Sequence, residues 1–137
     1  MKPFCIFLLL LGLSADIYAQ EGIQFFEGTY EEALEQAKAE NKVIFLFADA
    51  VWNGSGKRMK KSAFLDPEVV TYHHANFINL DVDMERGEGP QLARKFRIMA
   101  YPTLLYLDKE GNVIQKHTGA LSTIDLLEMS QKAISLK

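Results

Sequence analysis

The stretch Val43-Ile44-Phe45-Leu46-Phe47-Ala48 is apolar at every position. Side chains of a strand point to opposite faces in turn, so a strand with one wet face alternates apolar and polar residues. Six apolar residues in succession, with no helical punctuation, read instead as a strand buried on both faces of a parallel or mixed sheet. A chain containing such a strand must cover its sheet from two sides. With 137 residues, 48% of them apolar, there is enough material for one core of that kind and one domain around it.

The neighbouring segments supply the layers. Thr29-Tyr30-Glu31-Glu32 has the hydroxyl-to-carboxylate spacing of a capping box, and Tyr30, Leu34 and Ala37 follow at helical spacing as far as Asn41-Lys42. After a break at Asn53 to Gly56, the run Lys57 to Leu65 is expected to be helical, with Met59, Ala63 and Phe64 on one face. Asp66-Pro67-Glu68 marks a further helix start, carrying Val69, Val70 and His73. Phe77 to Val82 reads as a second buried strand and Pro90 to Phe96 as a short helix. Thr103 to Leu107 and Val113 to Thr118 are strands joined by a turn containing Gly111, and Ser122 opens a last helix striped by Leu126, Leu127, Ala133 and Ile134. Strands separated by helices imply a parallel pair, and strands joined by a tight turn an antiparallel one. The sum is an α/β fold: a mixed central sheet of four to five strands flanked by helices as a three-layer sandwich.

The N-terminus has a different character. Lys2, the apolar run Phe4 to Leu13 and the small-residue end Ile17-Tyr18-Ala19 follow the order of a secretory signal peptide over residues 1–19, leaving residues 20–137 as the domain. An apolar run of that length stops short of the roughly 20 residues that cross a bilayer, so no stable membrane insertion is expected after cleavage. The chain's single cysteine, Cys5, lies inside this segment. The mature protein is therefore expected to be secreted or periplasmic and to carry no thiol.

Four stretches in order resemble the thioredoxin superfamily, in particular its secreted thioredoxin-like domains. Asn41 to Phe47 is similar to the helix end and core strand that precede the family's active site. Trp52-Asn53-Gly54-Ser55-Gly56-Lys57-Arg58-Met59 resembles the W-C-G-x-C-K pattern with both cysteines replaced. Phe64 to Val69 with Val82-Asp83, and Ala100-Tyr101-Pro102-Thr103-Leu104-Leu105, resemble the segments that follow and the cis-proline loop. The resemblance implies that Asn53 stands at the attacking position and Gly56 at the resolving one. Thiol–disulfide exchange needs a thiolate to attack and a second thiol to resolve the mixed disulfide, and an amide and a bare hydrogen supply neither. The buried acid that the family carries on its core strand is Phe47 here. Asp49, two residues on, faces the same side of an extended strand.

What the resemblance implies is retained is a face. Trp52 covers it, Gly54 and Gly56 leave backbone N–H groups open at a helix start, and Lys57 adds charge. Ala100, Tyr101, Pro102 and Thr103 present a strand edge on which an extended peptide can pair. The expected site is thus Trp52, Asn53, Gly54, Ser55, Gly56 and Lys57 with Ala100, Tyr101, Pro102 and Thr103, binding an unidentified protein or peptide, with no catalytic residue. Two other readings stand beside it: an accessory or regulator of envelope thiol–disulfide oxidoreductases, and an enzyme whose chemistry has moved to other residues, such as Ser55 with His73, His74 or His117.

Other motifs fail on their own terms. Gly54-Ser55-Gly56-Lys57 lacks the glycine at 51 and the hydroxyl at 58 of a phosphate loop, having Val51 and Arg58. Asp81 to Glu85 begins like a calcium loop, but Arg86 and Leu92 occupy the positions of its glycine and bidentate glutamate, so these read as solvated acids at a strand end. His73 and His74 are adjacent and so diverge on a helix, which argues against a zinc pair. Lys57, Arg58, Lys60 and Lys61 read as a solvated basic face. No cofactor or metal site is expected, and a net charge of −3 gives no support for nucleic-acid binding.

Overall fold

A computed structural model describes residues 21–137; the signal-peptide reading of residues 1–19 lies outside the described residues. The elements run α1 (Tyr30–Glu40), β1 (Val43–Asp49), α2 (Gly54–Lys60), a 3₁₀ turn (Ala63–Leu65), α3 (Pro67–Asn76), β2 (Phe77–Asp83), α4 (Gly89–Lys95), β3 (Thr103–Leu107), β4 (Val113–Thr118) and α5 (Thr123–Ser135). Four strands form one sheet in the order β2-β1-β3-β4. β1 pairs parallel with β2, across α2 and α3, and antiparallel with β3, which pairs antiparallel with β4.

Every residue of β1 is buried. Its even positions Ile44, Leu46 and Ala48 pack with Tyr30, Ala33 and Ala37 of α1 and Leu92 of α4. Its odd positions Val43, Phe45 and Phe47 pack with Met59, Phe64, Val69, Leu126 and Ala133 on the opposite side. The strand therefore divides two half-cores, and the unbroken apolar run is the consequence. Ile23 to Phe26 forms no strand of its own; Ile23 N–H donates to the Phe64 carbonyl at 2.8 Å and Phe26 N–H to the Asn79 carbonyl at 2.7 Å, tying the segment along β2.

The helix starts are chemically specified. Thr29 Oγ1 accepts from Glu32 N–H at 3.2 Å, and its own hydroxyl donates to the Glu32 carboxylate. Ser122 Oγ accepts from Asp125 N–H at 3.1 Å. Asp66 Oδ1 accepts from both Glu68 N–H at 3.0 Å and Val69 N–H at 3.1 Å, with Pro67 at the first helical position. Pro67 has no N–H to satisfy, and the two open donors that follow it in the first turn, Glu68 and Val69, both rest on this one carboxylate. Asp66→Ala is expected to lower stability by about 1 kcal/mol, read as a reduced urea midpoint with an unchanged slope.

One expected helix is corrected. Lys57 to Leu65 is not continuous: α2 begins earlier, at Gly54, and ends at Lys60, and Ala63–Leu65 is a separate 3₁₀ turn. Ser62, at φ −133° and ψ −87°, leaves helical geometry between them. The break lets Met59, Ala63 and Phe64 all reach the core although they do not share one helical face.

Candidate functional site

The candidate site lies where β1 ends. Asp49 is its last residue, and Ala50 to Trp52 carry the chain to α2. Asn53 takes the capping position of α2, but its side chain caps nothing. Instead Asn53 Nδ2 donates to Asp49 Oδ1 at 2.8 Å. Asp49 is buried, and its second oxygen, Oδ2, lies 1.7 Å from where a Cβ on Gly56 would stand. A side chain at 56 and the carboxylate of Asp49 cannot share that space. Phe47 stays in the core against Phe64, with ring centroids 4.8 Å apart.

Trp52 is 65% exposed. Its indole Nε1–H donates to Glu85 Oε1 at 2.5 Å, and its ring meets Tyr101 edge-on at 6.0 Å between centroids. The Tyr101–Pro102 peptide bond is cis. Thr103 is fully buried and its Oγ1–H donates to the Ala100 carbonyl at 2.7 Å, so one of that oxygen's two acceptor positions is already filled. The Pro102 carbonyl accepts from Gly119 N–H at 2.7 Å. Val51 and Met99 are exposed beside these two segments in sequence, Met99 at 91%.

Among the expected site residues, then, the fold brings Trp52 and Tyr101 together and links Ala100 to Thr103. Ser55 Oγ accepts from Arg58 on the next turn of its own helix at 3.2 Å. Lys57 faces elsewhere: with Asp49, Val51, Lys60, Asp81 and Asp83 it lines a cavity of about 290 Å³ that neither Trp52 nor Tyr101 borders.

Sequence reasoning missed Glu85; Asp81 and Glu85 are exposed acids at the end of β2, as expected, but each has a partner. Asp81 pairs with Lys60 Nζ at 2.5 Å, Asp83 Oδ1 accepts from Glu85 N–H at 2.9 Å, and Glu85 holds Trp52. The basic run of α2 is correspondingly less free than expected, since Lys60 also lies over the Phe47 ring at 5.8 Å.

The serine–histidine possibility resolves differently. His73, fully buried, places Nδ1 2.8 Å from Asn79 Oδ1 and Nε2 2.8 Å from Ser130 Oγ. The Asn79 amide nitrogen faces the carbonyls of His73 and Phe77, which leaves its oxygen toward the ring. Nδ1 therefore carries the proton, and Nε2 and the Leu126 carbonyl, 2.8 and 2.7 Å from Ser130 Oγ, share its one hydroxyl proton. Tyr106, whose phenol burial holds well above its ordinary pKa, completes the chain at 2.8 Å from Ser130. The side chains of this network are buried and it does not involve Ser55; it is a satisfied part of the core. Among the described residues, no group of three or more His, Cys, Asp or Glu is placed to hold a metal ion, and no helix is long and apolar enough to cross a membrane.

A mixed sheet with helices on both faces, an exposed tryptophan at the end of the first core strand and a cis-proline loop beside it define the thioredoxin class of α/β proteins. Residues 30–134 match the Thioredoxin-like domain family, and the chain belongs to it. The chain is 31% identical over 99 residues to the thiol:disulfide interchange protein DsbD of Haemophilus influenzae, covering 68% of this chain and 17% of that protein. It thus spans about a sixth of the length of this relative. A solved structure of a proposed disulphide-isomerase from Bacteroides thetaiotaomicron is 37% identical, with a TM-score of 0.76 over 85% of this chain and 97% of the other. A thioredoxin from Thermus thermophilus, 22% identical with a TM-score of 0.73 over 82% of this chain and 88% of that one, shares the fold.

Proposed function

We propose that this protein is a secreted, redox-inactive member of the family that binds a protein or peptide through the face formed by Trp52 and the Ala100–Thr103 segment. One observation carries the reading. The positions implied for the two cysteines hold Asn53 and Gly56, while Trp52 remains exposed and in ring contact with Tyr101. With its only cysteine at position 5, the chain has no pair of thiols to exchange. An exposed aromatic ring of this size is a natural anchor for a partner, since aromatic residues dominate interface energetics. Because Glu85 already accepts the indole N–H, the tryptophan offers a partner its ring face and edge rather than a hydrogen-bond donor.

The test is a peptide array probed with the mature chain. Bound peptides are expected to lose at least about tenfold in affinity with Trp52→Ala and with Tyr101→Ala, the loss of a central aromatic anchor. Equal binding by both variants and the parent overturns the assignment of the face.

A second reading is favoured by the relatives, which are named as a thiol:disulfide interchange protein and a proposed disulphide-isomerase. In it, the protein acts as an accessory or regulator of such enzymes. Insulin reduction by dithiothreitol separates the two: the protein alone is expected to leave the rate unchanged, and a regulator alters the rate of a partner oxidoreductase added to the same assay. Acceleration by the protein alone contradicts redox inactivity.

A further inference from the structure

Asp49 sits between the two positions that define the loop. Its Oδ1 accepts the Asn53 side-chain N–H at 2.8 Å, and its Oδ2 occupies the space that any side chain on residue 56 needs, 1.7 Å from the missing Cβ. The obstruction is not relieved by a small adjustment, since the Asp49 carboxyl carbon is itself 2.5 Å from that Cβ position. The carboxylate's way out leads toward the cavity it lines with Lys57, Lys60, Asp81 and Asp83, and moving there gives up the Asn53 hydrogen bond. The Asp49 backbone is fixed by its pairing with Asp83 of β2 and by its carbonyl, which accepts Met84 N–H at 2.8 Å. Asn53 has given up the capping role that its position in front of α2 offers and spends its amide on Asp49 instead.

We propose that Asp49 is the positioning residue of the loop: its carboxylate spans residues 53 and 56 as a non-covalent brace, so that Trp52 is held in one arrangement without any bond between those two positions. Glycine at 56 is the condition for this brace, not a passive deletion. Residues 49, 53 and 56 then behave as one unit, and substitutions among them are strongly non-additive. The purpose assigned to the brace rests on the binding reading above, but its existence does not, and the test needs no partner.

The test has two readouts. The first is a thermal double-mutant cycle. Gly56→Ala in the parent is expected to lower Tm by about 5 °C or more, a loss on the scale of 1 kcal/mol for a domain of this size. In an Asp49→Ala background the same change is expected to be neutral or to raise Tm, because alanine is the better helix residue once the space is open. The second readout is specific to position rather than stability. Trp52 is the only tryptophan of the chain, so its quenching by acrylamide under native conditions reports on the loop alone. Asp49→Ala and Asn53→Ala are expected to raise the quenching constant about twofold, whereas Asp49→Asn, which keeps an acceptor oxygen in the same place, stays near the parent value. A Gly56→Ala cost that is the same in both backgrounds, or Trp52 quenching indifferent to Asp49→Ala, overturns the brace. Loss of peptide binding with an intact cycle and quenching pattern leaves the brace standing and removes only the binding reading.

Discussion

Between pH 7 and pH 4 the protein is expected to lose about 3 kcal/mol of stability through one residue, His73. Burial pushes its imidazole from the ordinary value of 6.5 down to about 4; the Asn79 hydrogen bond works weakly the other way, and His74 adds a small unfavourable charge. The unfolded chain takes up a proton as pH falls through 6.5, while the folded chain refuses it until about 4. The contribution of the neutral ring is thus complete above pH 6.5, declines as pH falls through that window and is gone below 4. Urea midpoints at pH 7, 6 and 5 measure it, in a range where most carboxylates have not yet titrated. His73→Gln is expected to be less stable at pH 7 but nearly flat between pH 7 and 5. A parent protein equally flat there contradicts the assignment. Since domains of this kind are stable by only about 5–15 kcal/mol, a loss of this size is a large share of the whole.

The second large effect is expected at Phe45. Its ring is fully buried and meets Phe64, His73, Phe77 and Tyr106 at 6.1, 4.7, 6.5 and 5.2 Å between centroids. It is the point where β1, α3, β2 and β3 share one cluster. Truncation removes the transfer energy of the ring and leaves a cavity that four neighbours on two strands, a helix and the 3₁₀ turn cannot collapse to fill. Phe45→Ala is expected to cost about 4 kcal/mol, seen as a urea midpoint lowered at constant slope. Because Phe45 and His73 touch, the two effects are coupled. Water entering the Phe45→Ala cavity relieves the burial that holds His73 neutral, so the variant is also expected to show a shallower loss of stability below pH 6.5. Full pH dependence in Phe45→Ala shows that the cavity stays dry.

How far the residues announced this arrangement depends on how local the determining contact is. The double burial of β1 was legible in Val43 to Ala48, because burial on both faces is written into consecutive positions. The caps at Thr29, Asp66 and Ser122 were legible for the same reason, each lying within three residues of the groups it satisfies. The start of α2 was not. Gly54-Ser55-Gly56 has the composition of a break, since glycine is costly in a helix, yet the helix begins there. The carboxylate that lies on Asn53 and over Gly56 comes from Asp49, at the end of β1, and no local pattern in residues 53–56 announces it. Glu85 was hidden in the same way: nothing in an acidic run identifies a tryptophan 33 residues earlier as its partner. Of the ten residues expected at the site, the contact between Trp52 and Tyr101 emerges directly, whereas Lys57 turns toward a separate cavity.

The space above Gly56 also bears on what this loop can be made to hold. A cysteine placed at position 56 alone meets the Asp49 carboxylate, and one placed at position 53 alone has no second thiol in the loop and removes the amide that Asp49 accepts from. A pair of thiols built into this loop therefore begins with a change at position 49, and the order in which positions 49, 53 and 56 are altered sets how much stability each intermediate keeps.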